Sequence, residues 1–178
     1  MMPMTWPPPS TTIAVAVLVL AATYCDLRSR RIPNTLTLGA AAVAVAMHAA
    51  VGGWSGLLLA ASGWAVGAAL FFPLFALGGM GAGDVKLLAA IGAWLGPAGA
   101  IWTGLYGAVA GGVMALIVAL SRGYASTAMK NLGNLLRVWS IAGVQPVEGL
   151  TLQNTASPKL PYALPLAAGA LVTMWLAR

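Results

Sequence analysis

The chain carries three acidic side chains, Asp26, Asp84 and Glu148. Two of them border long apolar runs, where a carboxylate is costly to keep and therefore marks a functional site by default. Asp84 follows the run Gly78-Gly79-Met80-Gly81-Ala82-Gly83, which permits positive φ and close approach of another chain. A peptide can lie against such a run in extended form. Two carboxylates brought close together cannot easily both ionise, so they share a proton and can hold a water between them. The ionised partner then takes a proton from that water as it attacks a carbonyl carbon, while the protonated partner hydrogen-bonds the carbonyl oxygen. Plainer roles exist for each acid alone. Asp84 suits a helix N-cap, and Asp26 suits a topology-flanking residue paired to Arg28 or Arg30. Jointly those roles explain less, because the chain is otherwise nearly free of acids. Helix polarity suggests Asp84, at a helix N-terminus, as the resting base and Asp26, at a C-terminus, as the resting acid. Glu148 lies in a polar stretch with nothing nearby that suggests a buried site.

Few other groups can do chemistry. The single cysteine, Cys25, rules out an intramolecular disulfide or a multi-cysteine zinc site. It has no histidine partner, since His48 falls near the opposite end of the next apolar run. Two carboxylates without histidines make a thin divalent site, so no metal and no cofactor is expected. Gly81, Gly83 and Lys86 are the candidate residues for binding substrate or shaping the loop. Lys86, two positions past Asp84, points elsewhere on a helix and reads more readily as a snorkelling anchor than as a substrate contact.

The elements that must place these groups are membrane helices. The chain is 60% hydrophobic and 7% charged, against roughly 25% charged for a soluble domain, so most of its surface faces lipid and residues 1–178 form a single membrane-embedded domain. Its basic residues are spread between apolar runs, which argues for a topology signal and contact with membrane lipid, not for nucleic acid. The start of the chain has no positively charged n-region and reads as a retained first span. A span needs roughly 20 apolar residues. Residues 1–25 are uncharged and hold one; residues 32–83 hold two, joined by a turn at Gly52, Gly53 and Gly56; residues 87–121 break at Gly96-Pro97; residues 160–177 supply a short last span. Reading 87–121 as two spans puts Arg28, Arg30, Arg31, Lys86, Arg122, Lys130, Arg137 and Lys159 on one side, as the enrichment of cytoplasmic loops in Lys and Arg requires. The expected fold is all-α and polytopic, with about six transmembrane helices. Asp26 and Asp84 then meet at the cytosolic edge. Residues 122–159 are too polar to span, and the spacing of Ala125, Met129, Leu132, Leu135, Leu136 and Trp139 predicts an amphipathic helix lying on the cytosolic surface.

Two blocks, Asp26-Leu27-Arg28-Ser29-Arg30-Arg31-Ile32-Pro33-Asn34 and Gly78-Gly79-Met80-Gly81-Ala82-Gly83-Asp84-Val85-Lys86-Leu87-Leu88, resemble the two signatures of the type IV prepilin peptidases, the Gly-x-Gly-Asp membrane aspartic peptidases of bacteria. The tail Leu160-Pro161-Tyr162-Ala163-Leu164-Pro165 is similar to that family's entry into its last span. The resemblance implies that Asp26 and Asp84 are the catalytic pair. It also implies a prepilin or pilin-like precursor as substrate, with a short basic leader removed at the cytosolic face of the inner membrane, just before the precursor's hydrophobic helix. Larger members have an additional cytosolic region with paired cysteines that accompanies N-methylation. That region is missing here, so methyltransferase activity is not expected, and the compact form resembles the branch serving tight-adherence (Flp-type) pili. The alternative is a proton- or cation-coupled transporter using the same two aspartates, which calls for midplane carboxylates and repeated halves. The spans place both acids at an edge, and the halves differ.

Overall fold

A computed structural model describes residues 8–147 and 160–177. Among these residues the protein is all-helical, with α1 (Pro9–Ser29), α2 (Asn34–Ala76), α3 (Ala82–Ser121), α4 (Ala125–Ala142) and α5 (Ala163–Leu176). Glu148, Lys159 and Arg178, which the sequence placed in or beyond the polar loop, lie outside the described residues. The first three helices are long and apolar enough to cross a membrane, and the protein is a membrane protein. At 14 residues, α5 extends about 21 Å, which is short of the ~30 Å hydrocarbon core.

Both of the longest helices fold back on themselves. Helical geometry breaks at Gly53 (φ 58°) in α2 and at Gly96 (φ 73°) in α3, left-handed backbone that glycine adopts without a Cβ penalty. Residues eight apart in one straight helix lie about 12 Å apart. Yet a Cβ on Gly56 would run into the carbonyl of His48, and one on Gly92 would come within 3.0 Å of the Ala100 methyl. Each break is therefore a hairpin. Together with α1 and α5, the four arms make six apolar helical segments, divided at the glycines that the sequence marked. His48, beside the first hairpin, makes a 3.2 Å hydrogen bond to the Trp94 carbonyl beside the second, which fastens the two turns together.

The first arm of α3 is central. Leu87 through Trp94 are buried without interruption, the pattern of a helix covered on every side. Its closest neighbour is α2, at backbone contact: Gly63 abuts Gly92, and Gly67 rests on Leu88 and Ala89. Small residues allow this approach where no hydrophobic effect drives helices together. By contrast α4 buries no residue. It leaves Met129, Leu132, Leu136 and Ile141 exposed, as expected of a helix that lies on a surface.

Candidate functional site

The two aspartates converge from separate helices. The inward face of α1 runs Thr11, Val15, Leu18, Val19, Ala22, Asp26, a spacing of three and four that keeps one side of a helix inward. Asp26 is thus the last member of a buried stripe and is only 8% exposed. Its Oδ2 accepts the backbone N–H of Ala163, at the start of α5, at 3.2 Å. Thr23 on the same face of α1 donates to the Ala163 carbonyl at 3.4 Å, so one residue of α5 is held at both its polar groups.

Asp84 arrives from α3. The second arm of α2 closes in a Schellman turn in which Gly79 N–H reaches Leu74 O at 2.9 Å and Gly78 N–H reaches Phe75 O at 2.9 Å. Gly78, with φ 74°, takes the left-handed position of that motif. Of the glycines in the run, Gly78 alone has positive φ. Gly81 then caps α3, which makes Asp84 the third helical residue, not the N-cap that its sequence position suggested. From there its carboxylate reaches back to the Gly81 N–H, as the acid of a capping box does. Gly81 leaves room for this, since a Cβ there would stand 3.1 Å from Asp84 Oδ2.

Between the two acids lies a cavity of about 300 Å³, walled by Asp26, Arg30, Arg31 and Ile32 on one side and by the Gly81–Asp84 segment on the other. The carboxylates are close enough for the charge of Asp26 to act on Asp84. Helix polarity does not separate their roles, because Asp26 also meets a helix N-terminus, that of α5. A dyad of this kind titrates as a unit.

Both aspartates fall within residues 13–116, which match the model of the type IV leader peptidase family. The chain belongs to that family. The match covers more than half of the sequence and both blocks whose resemblance pointed to it. No curated protein and no solved structure matched the chain.

Of the other residues marked in the sequence of this leader peptidase, Gly81 and Gly83 line the cavity and Lys86 does not. Lys86 Nζ donates to Asn34 Oδ1 at 2.9 Å, tying the start of α3 to the start of α2. Arg28 turns outward to the Tyr24 hydroxyl at 3.3 Å. Among the described residues no group of three His, Cys, Asp or Glu side chains is placed to hold a metal ion.

Sequence reasoning missed two parts of the site. The first is the turn after α1, where Arg30 takes a left-handed conformation (φ 54°) and its N–H returns to Asp26 O at 2.9 Å. Ser29 Oγ bonds Cys25 O at 2.8 Å and Arg31 O at 3.2 Å, which fixes the turn over the cavity. Arg30 and Arg31 thereby wall the cavity, beyond the orientation role that charge placement alone assigns them. The second is the entry to α5. Tyr162 lies within reach of the Asp84 charge, packs edge-on to Phe71 with ring centres 6.0 Å apart, and rests against Gly111, where a Cβ would stand 2.9 Å from its Cε2. This two-residue step thus holds Asp26 through Ala163 and brings Tyr162 near Asp84. The visible signal was the Leu-Pro-Tyr-Ala-Leu-Pro tail, whose prolines mark a helix start but do not show what that start touches.

Proposed function

We propose that the protein is an aspartic endopeptidase of the bacterial inner membrane that removes the leader from prepilin or pilin-like precursors at the cytosolic face. The observation that carries this reading is the shared cavity: Asp26 and Asp84, from different helices, wall one space while each carboxylate is held by a backbone N–H. Such a pair keeps one proton at neutral pH, because two adjacent negative charges repel. A water between them loses a proton to the ionised partner as its oxygen attacks the scissile carbonyl carbon. The protonated partner donates to the carbonyl oxygen, and the amine leaves with a proton returned by the dyad.

Topology supports the cytosolic face. Five crossings, by α1 and by the two arms each of α2 and α3, bring Arg28, Arg30, Arg31, Lys86, Arg122, Lys130 and Arg137 to the edge that carries the dyad, which the positive-inside bias makes cytosolic. α4 then lies on the same surface. Gly81 and Gly83 leave the cavity wall bare of side chains, so an extended scissile segment can lie against backbone there. Carrying one cysteine, the chain is a peptidase that leaves the new amino terminus unmethylated.

The test is incubation of membranes containing the chain with an Flp-type prepilin, read by the mass of the product's amino terminus. Loss of the leader without an added methyl group is expected. An intact precursor, together with proton leak into vesicles holding the purified chain, would favour the transporter instead.

A further inference from the structure

Asp26 and Asp84 stand on helices that share little surface. α1 packs more extensively on α5 than on α2 or α3, and α5 packs broadly on α3, so α5 is the element that brings the two acids into register. On one side its entry is gripped by α1: Asp26 Oδ2 accepts the Ala163 N–H at 3.2 Å, and Thr23 Oγ1 donates to the Ala163 carbonyl at 3.4 Å. On the other side stands the half-buried Tyr162. Its ring meets Phe71 of α2 edge-on with centres 6.0 Å apart, and a Cβ on Gly111 of α3 would lie 2.9 Å from its Cε2 and 3.1 Å from its Oη. Among the described residues α5 itself does not pack on α2; Tyr162, one residue before it, does.

We propose that Tyr162 is a positioning residue for the dyad: wedged between Phe71 and Gly111, its ring fixes the entry of α5, and the Ala163 N–H so placed holds the Asp26 carboxylate in register with Asp84. This rests on the peptidase reading above and adds a residue that its chemistry needs besides the two acids. Tyr162 does not line the dyad cavity, so it acts through Ala163 and not on the substrate. A tyrosine ring is rigid and has few torsions, so holding it at two points leaves the adjoining peptide little freedom. A donor placed in advance needs no rearrangement when the reaction occurs, and a misplacement of about 1 Å in a reacting group costs on the order of a hundredfold in rate.

The experiment measures kcat and KM for an Flp-type prepilin in proteoliposomes of the intact chain. Tyr162→Ala removes the wedge and should lower kcat about a hundredfold with KM unchanged, since no substrate contact is lost. Tyr162→Phe keeps the ring and should stay within about tenfold of wild type. Gly111→Ala, which lines no part of the dyad cavity, pushes the same ring and should lower kcat about tenfold. Without the ring it has nothing to push, so the kcat of Tyr162→Ala/Gly111→Ala should equal that of Tyr162→Ala. Wild-type kcat in Tyr162→Ala or in Gly111→Ala, losses that multiply in the double variant, or a Tyr162→Phe chain as slow as Tyr162→Ala would overturn the inference. Nitroxide spin labels at the exposed Leu20 and Leu164, in a Cys25→Ser background, read the same claim without turnover. The distance distribution between α1 and α5 should broaden in Tyr162→Ala and match wild type in Tyr162→Phe; an unchanged distribution in Tyr162→Ala overturns the inference. If wild type cleaves no prepilin, the peptidase reading fails, and the labels still decide whether Tyr162 holds α5 to α1.

Discussion

Gly83→Val tests the claim that bare backbone at the dyad is a steric requirement. Gly83 is within α3 and has no positive φ, so a side chain there adds no backbone strain and its effect is one of space. A Cβ would lie 3.3 Å from Ile32 Cβ, 3.5 Å from its Cγ1 and 3.6 Å from its Cδ1. Alanine therefore asks Ile32 to give by a few tenths of an ångström and should cost little. Valine adds two methyls that must enter either Ile32 or the cavity. Overpacking of this kind costs about 1–3 kcal/mol; borne in the bound transition state, at about tenfold in rate per 1.4 kcal/mol, it lowers kcat/KM roughly 5- to 140-fold. Ile32→Ala opens the same space, so the double variant Gly83→Val/Ile32→Ala should recover most of the activity, and the cycle should show strong coupling between the two positions. The assay is initial-rate cleavage of prepilin in membranes at matched protein levels. Full activity in Gly83→Val, or strictly additive losses in the double variant, would refute the steric reasoning.

Gly67→Ala should lower thermal stability in detergent by about 1–3 kcal/mol, because its Cβ would meet Leu88 O at 2.6 Å and Ala89 Cα at 2.9 Å, backbone atoms that cannot move aside. Thermal inactivation measures this, and an unshifted midpoint would place the α2–α3 contact elsewhere. Lys86→Met removes one exposed hydrogen bond to Asn34, worth about 0.5–1.5 kcal/mol. Its cleavage rate should fall by less than about tenfold, whereas a thousandfold loss would put Lys86 in the chemistry. The pH dependence of kcat/KM should be bell-shaped, falling on the acid side as the working carboxylate is protonated and on the alkaline side as the shared proton is lost. In Asp26→Asn any residual rate should lose that form.

The hairpins were legible because glycine and proline interrupt apolar runs at Gly53 and at Gly96-Pro97, and a break in a helix is a local event. The same holds for α4, whose three- and four-residue spacing is written in the chain. The meeting of Asp26 with Asp84 followed from counting spans, since charge placement fixed which ends lie together. The grip of Ala163 on Asp26 and the seat of Tyr162 on Gly111 were not legible, because they arise from the approach of a helix far off in sequence to a surface that α1 and α3 create. Lys86 reached Asn34 for the same reason. Helix ends alone do not assign the resting roles of the acids, as the N-terminus of α5 reaches Asp26 only in three dimensions.

The most direct test of the dyad is cleavage of co-expressed prepilin by the wild-type chain, Asp26→Asn and Asp84→Asn, scored by the mass of the new amino terminus. Asparagine keeps the shape and an oxygen to accept the Ala163 or Gly81 N–H, so both variants should reach wild-type levels in the membrane. Losing a group that takes or gives the proton costs about 10²- to 10⁴-fold, and each variant should leave the precursor uncut. Undiminished cleavage in either, at equal membrane levels, would contradict the two-aspartate mechanism.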